Sequence, residues 1–196
     1  METSYTGPTI DDPEVLAQLP QEIAQGLRMV NGFITSDRGF HVRGACHEPV
    51  WHSIRAAWEG EYAIHQLFPS VKASDIPLAE DCFGDQFLLR DGSVIRVFGE
   101  TGEVEYTTLS WGQFLEKAAT ETIEFLQLQP LQQFQQSGGV LAPGSLLSVY
   151  PPFVAKECVN PSLRPIPALE RRSALADFAR QIANVQDGQT IKITIS

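Results

Sequence analysis

Gln86-Phe87-Leu88-Leu89-Arg90, then Asp91-Gly92, then Ser93-Val94-Ile95-Arg96-Val97-Phe98: this stretch decides the fold. Two apolar runs flank an Asp-Gly pair. Both central residues of a tight type I′ turn need positive φ, which glycine adopts freely and aspartate tolerates. The stretch therefore predicts a β-hairpin. Gly99 to Gly102 makes a second turn. Val104, Tyr106 and Thr108 then alternate with Glu103, Glu105 and Thr107. That alternation predicts a third strand, packed on one face and wet and acidic on the other. Residues 85–109 are thus expected to form an antiparallel meander.

Upstream, Pro77 to Asp85 reads as the loop that leads into the first strand, with aspartates bonding loop backbone. Residues 50–68 carry Trp51, Ile54, Ala57, Trp58 and Ile64 at spacings of mostly three and four, which predicts one or two helices interrupted at Gly60. Phe33-Ile34 and Phe40-His41-Val42 flank a Ser36–Gly39 turn, a short hairpin. Asp12-Pro13 is a helix cap followed by proline at the first helical position. The helix it starts spans 13–30, is broken near Pro20 and stops at Asn31-Gly32. Residues 1–11 read as a loose end.

Downstream, Ser110 and Gln113 have the spacing of a capping box, opening a helix that runs to about Leu128. The six glutamines between Gln127 and Gln136 read as a polar helix end before the Ser137-Gly138-Gly139 loop. Residues 140–168 hold six prolines and predict an irregular crossing with one short strand at Leu146–Val149. Leu175, Phe178, Ile182 and Val185 predict a helix over 171–185. Ile191, Ile193 and Ile195 alternate with polar residues and predict a terminal strand.

The chain has 196 residues, 43% of them apolar, which suits a single domain over 1–196 with a sizeable core. Its formal net charge is −10. A general nucleic-acid binder needs a basic stripe to neutralise phosphates, and an anionic membrane surface attracts cations, so neither nucleic acid nor membrane is the expected partner. A basic protein partner is compatible. Glu80 to Glu124 holds ten acidic and three basic side chains, so most of the negative charge lies there. The three cysteines, Cys46, Cys82 and Cys158, are odd in number and widely spaced. They read as free thiols in a reducing cytoplasm. There is no basic-then-apolar leader and no window near the roughly 18 apolar residues of a membrane span.

Several residue groups invite a chemical reading. His41, Cys46, His47 and His52 are all possible zinc ligands, but their spacings of five, one and five match no common zinc pattern. A turn with a buried thiol and surface imidazoles is favoured, and no metal is expected. Glu80, Asp81 and Asp85 could divide acid and base roles. No His or Lys stands at an informative spacing, and loop hydrogen bonding explains them as well. Cys82 lies among aspartates that would raise its pKa, so it reads as a small buried hydrophobe rather than a nucleophile. No phosphate loop, dinucleotide fingerprint, nucleophile elbow or paired-histidine zinc motif is present, and no cofactor is expected. Among Trp51, Trp58 and Trp111, one is expected to be substantially exposed.

Three segments, in order, resemble the SUKH superfamily, which includes fungal cell-wall-synthesis regulators and many bacterial immunity proteins. The first is Leu19-Pro20 before Ile23, ending at Asn31-Gly32. The second is Ile76-Pro77-Leu78-Ala79-Glu80-Asp81-Cys82-Phe83-Gly84-Asp85-Gln86-Phe87, running into Leu88-Leu89. The third is the strand after Asp91-Gly92, the acidic turn at Glu100, and the Ser110-led helix with Phe114-Leu115. The resemblance covers residues 13–128 and leaves 129–196 as a C-terminal elaboration.

The resemblance implies an α+β fold: a twisted, mostly antiparallel sheet with helices packed against it, extended here by a C-terminal helix and strand. It also implies a non-catalytic protein-binding module that neutralises a toxin domain by docking on it. Opposite net charge speeds such encounters, so a basic toxin domain is the expected partner. Glu80, Asp81, Glu100, Glu103 and Glu105 are the expected exposed acidic contacts. A regulatory or scaffold protein without a toxin is the first alternative. A small metal- or carboxylate-dependent enzyme using His41, His47, His52 or Asp81 and Asp85 is the second.

Overall fold

Asp91 and Gly92 turn the chain with φ of 51° and 84°, as the Asp-Gly pair requires. In the computed structural model, which describes residues 2–186, 188 and 189, this turn joins β5 (Gln86–Arg90) to β6 (Ser93–Val97), and β7 (Val104–Tyr106) follows. The meander extends upstream through β1 (Thr3–Thr6), β2 (Phe33–Thr35), β3 (Phe40–Val42) and β4 (Ile76–Asp81). Among the described residues these seven strands each pair antiparallel with the next in sequence, giving a seven-stranded sheet in the order β1 to β7. With helices on both faces, the fold is α+β.

Alternate residues of the central strands enter two different cores, as strand geometry dictates. Phe87 and Val94 face a core shared with Leu16 and Leu19, with Ile23 and Leu27, and with Phe114. These come from α1 (Pro13–Gln18), the segment that joins it to α2 (Gln21–Met29), α2 itself and α5 (Trp111–Thr120). Leu88, Ile95 and Val97 face the other way, onto Ala57, Ile64 and Leu175. Those belong to α3 (Ile54–Trp58), α4 (Ile64–Leu67) and α8 (Ala168–Ile182). Two covered faces explain why β5 and β6 are buried almost throughout.

Several caps form as the residue types demand. Asp12 accepts from the Val15 amide, with Pro13 next. Pro20 separates α1 from α2. Ser110 and Gln113 form a reciprocal capping box. The helix beyond it is interrupted after Thr120 and resumes as α6 (Thr122–Phe125) and α7 (Gln129–Gln136), so the glutamine run is itself helical.

Three strands were not legible, each for a physical reason. β1 is polar because it is a sheet edge, so residues 3–6 are paired rather than loose. β4 contains Pro77, which donates no ladder bond, and the register shifts between Pro77 and Ala79 to accommodate it. β9 (Ser162–Pro167) carries Pro165 and Pro167 and pairs with β8 (Ser145–Tyr150) in a separate two-stranded sheet, where an outer edge tolerates proline. The 140–168 crossing is therefore largely a hairpin. Its Leu147 amide donates to the Cys82 carbonyl at 2.7 Å, and Leu147 and Val149 join the first core. The strand expected at 191–195 lies outside the described residues.

Candidate functional site

His41, Glu80 and Gln86 stand in one row across β3, β4 and β5, because His41 is registered with Glu80 and Glu80 with Gln86. Arg43, two residues beyond His41, shares that face. It donates to Glu80 Oε2 at 3.1 Å and to Gln86 Oε1 at 2.6 Å. From α8, Arg172 closes over the same carboxylate, Nε to Oε2 at 2.7 Å and Nη2 to Oε1 at 2.5 Å, and also donates to the Trp51 carbonyl. Burial by itself would raise the Glu80 pKa. The Arg172 and Arg43 charges and the His41 bond overcome it and hold the carboxyl well below its ordinary range.

The row continues through two imidazoles. Glu80 Oε1 is 3.0 Å from His41 Nδ1, His41 Nε2 is 2.8 Å from His52 Nδ1, and His52 Nε2 is 2.9 Å from the Asn31 carbonyl oxygen. Both ends of this chain are acceptors, so each outer ring nitrogen carries a proton. His52 is held neutral: burial and the neighbouring His41 push its pKa down to about 3. Burial lowers His41 as well, against the pull of Glu80. His52 is seated by backbone approach, since a Cβ on Gly44 would stand 2.7 Å from its Nε2 and one on Gly32 would stand 2.6 Å from Cε1. The cavity beside this row is about 20 Å³, room for a single water.

On the opposite face the acidic segment builds a different feature. Asp81 Oδ1 accepts from the amides of Phe83, Gly84 and Asp85 at 2.9 to 3.0 Å and so shapes the turn between β4 and β5. Its Oδ2 is buried without a hydrogen-bond partner among the described residues, 3.8 Å from Arg96 Nη2. Burial and the Asp85 charge push the Asp81 carboxyl up to about 8. Asp85 takes Arg96 through Nε at 2.8 Å and Nη2 at 2.7 Å, while the guanidinium lies 4.7 Å over the Phe98 ring. Glu100 accepts from the Phe153 and Val154 amides at 3.1 and 3.0 Å, and so anchors the loop over 151–161.

Between that loop and the sheet opens a cleft of about 610 Å³. Phe83 and Phe98 come from the sheet side, Leu126 and Pro130 from the α6–α7 junction, and Phe153 and Val154 from the loop. Asp81, Asp85, Glu100 and Glu103 line it together with Arg96. The loop and the strand before it carry the exposed apolar side chains Tyr150, Phe153, Val154 and Val159.

No family model, curated protein or solved structure matches this chain.

Of the acidic contacts expected at the surface, Glu103 and Glu105 are exposed and Glu80, Asp81 and Glu100 are not. Glu80 lies beneath α8, Asp81 inside its own turn, and Glu100 under the loop it anchors. His41, Cys46, His47 and His52 do not converge: two rings meet, Cys46 is buried near the Gly44 carbonyl, and His47 is exposed. The surface imidazoles expected there reduce to His47 in this group. Among the described residues no cluster of three His, Cys, Asp or Glu could hold a metal ion. Asp81 and Asp85 are neighbours in one turn, but Arg96 and backbone amides occupy most of their oxygens. Burial pushes the Cys46 thiol up to about 12 and the Cys82 thiol well above its ordinary value, so neither is a ready nucleophile. Trp111 is buried and Trp51 and Trp58 are half-buried, so the exposed aromatics are Tyr106, Tyr150 and Phe153 instead. Arg43 and Arg172 were missed. Arg172 was findable, because Ala168, Arg172, Leu175, Ala176 and Ala179 share one helical face.

Proposed function

We propose that this chain is a non-catalytic protein-binding module of the SUKH type, an immunity protein that docks on a toxin domain. One observation carries the reading: exposed Tyr150, Phe153, Val154 and Val159 are concentrated at one loop, beside the cleft of about 610 Å³. Apolar side chains gathered on a surface mark a contact site. The side chains with chemical potential support it from the other direction. Glu80, His41 and His52 are consumed in a sealed structural row, and the thiols of Cys46 and Cys82 are held protonated. The order of the three SUKH-like segments supports the family, and the net charge of −10 suits a basic toxin domain. Free cysteines fit a cytoplasmic setting, and among the described residues no helix is long and apolar enough to cross a membrane.

Co-expression with the product of the neighbouring gene tests this. The expected result is rescue of growth and a stable complex of the two purified proteins. A neighbour that is neither toxic nor captured removes the toxin-neutralising reading.

A further inference from the structure

We propose that the cleft between the loop over 151–161 and the sheet seats a basic side chain, presented next to an apolar residue by a protein partner. The inference rests on the binding-module reading and names its contact chemistry. Asp81, Asp85, Glu100 and Glu103 line the cleft with one guanidinium, Arg96, and from α8 the buried Arg171 charge also acts on Glu100, Asp81 and Asp85, which leaves the acidic side chains in excess. Glu103 is exposed at the rim, and Glu105 joins it: its register with Arg96 places it on the same face of the sheet. The aromatic walls, Phe83, Phe98 and Phe153, suit the aliphatic stem of an arginine or lysine and a neighbouring apolar side chain.

Asp81 supplies the independent sign that a cation belongs here. It is only 1% exposed, it lines the cleft, and among the described residues its Oδ2 has no hydrogen-bond partner. A buried polar oxygen left without a partner, protonated or not, is costly and calls for one. Arg96 stands between two carboxylates, 2.7 Å from Asp85 and 3.8 Å from Asp81. An incoming cation that pairs with Asp85 and Glu103 releases Arg96 to close on Asp81 Oδ2. Asp81, pushed up to about 8 in the free protein, then ionises and gives one proton to solvent. Binding of a basic side chain is therefore proton-linked and tightens as pH rises toward 8.

The test uses the full chain and two probes, acetyl-Phe-Arg-amide and its uncharged counterpart acetyl-Phe-citrulline-amide, followed by backbone amide NMR. The arginine probe is expected to shift the amides of Phe83, Gly84, Asp85, Phe153 and Val154 and to bind at least roughly fivefold tighter than the citrulline probe. Its affinity should rise between pH 6 and 8 and fall with salt. Asp81→Asn keeps an oxygen for the three turn amides and should abolish the pH dependence. A paired Glu103→Gln and Glu105→Gln variant should weaken binding several-fold, with the Asp81 turn untouched. Equal binding of both probes, or shifts confined to another surface, overturns the proposal. If the probes fail while a neighbouring toxin is still bound and neutralised, the cleft assignment falls and the immunity reading stands. If the arginine probe binds as described and no toxin is found, the cleft stands and the immunity reading falls.

Discussion

His52 donates from Nε2 to the Asn31 carbonyl and must accept at Nδ1, so the folded state needs its ring neutral. Its pKa is lowered from 6.5 to about 3, by burial first and by His41 second. In the unfolded chain the ring takes up a proton near pH 6.5. The stability it contributes is therefore full above 6.5 and is lost as pH falls toward 3, by up to about 1.4 kcal/mol per pH unit. Asp81 acts in the opposite sense, because its carboxyl is raised from 3.8 to about 8 and folding takes up its proton over that window. The clean readout is thus a difference. Urea unfolding at pH 7, 6, 5 and 4 should show a steeper acid loss for the wild type than for His52→Gln, whatever the absolute stabilities. Parallel pH profiles would show that His52 titrates alike in both states. None of this was visible from spacing. His41 and His52 are eleven residues apart, and only the register of β3 and the turn at Val50–His52 bring their rings to 2.8 Å.

At the scale of elements, α8 is attached to the sheet by a buried charge as well as by Leu175 and Ala176. Arg172 and Glu80 are each about 1–2% exposed, and removing one partner of such a pair strands the other. Arg172→Met should cost about 3–5 kcal/mol in chemical unfolding, and Glu80→Gln combined with it should recover part of that loss. A cost under about 1 kcal/mol would mean that Arg43 alone satisfies Glu80. The helices and the β5–β6 hairpin were readable because their signals are local: a cap, a turn pair, a periodicity. β4 and β9 were not, since their prolines argue against strands unless the bulge and the outer edge that accommodate them are known.

For the whole molecule, the C-terminal third completes both cores. Leu147 and Val149 belong to the core that holds Phe83 and Phe87, and Leu175 and Ala179 to the one that holds Leu88 and Ile95. A chain ending at Gln136 leaves both cores incomplete. It should lose cooperative unfolding and bind a hydrophobic dye, as judged by near-UV circular dichroism and dye fluorescence beside the full chain. A fragment that unfolds cooperatively with the native spectrum would make residues 137–196 an appendage. The resemblance covers only 13–128, and its limit is not a limit of the core.

The order of residues by itself determined the meander at 85–109, the caps at Asp12 and Ser110, the break at Pro20 and the acidic balance, because each depends on neighbours within a few positions or on composition alone. The tertiary structure decided which charges are surface and which are core. Glu80, Asp81 and Glu100 look identical in sequence to Glu103 and Glu105. Helix α8, a three-amide turn and an anchored loop bury the first three, and no described residue covers the last two. Burial is set by what arrives from far along the chain, here Arg172 and Phe153, and local pattern carries no record of that.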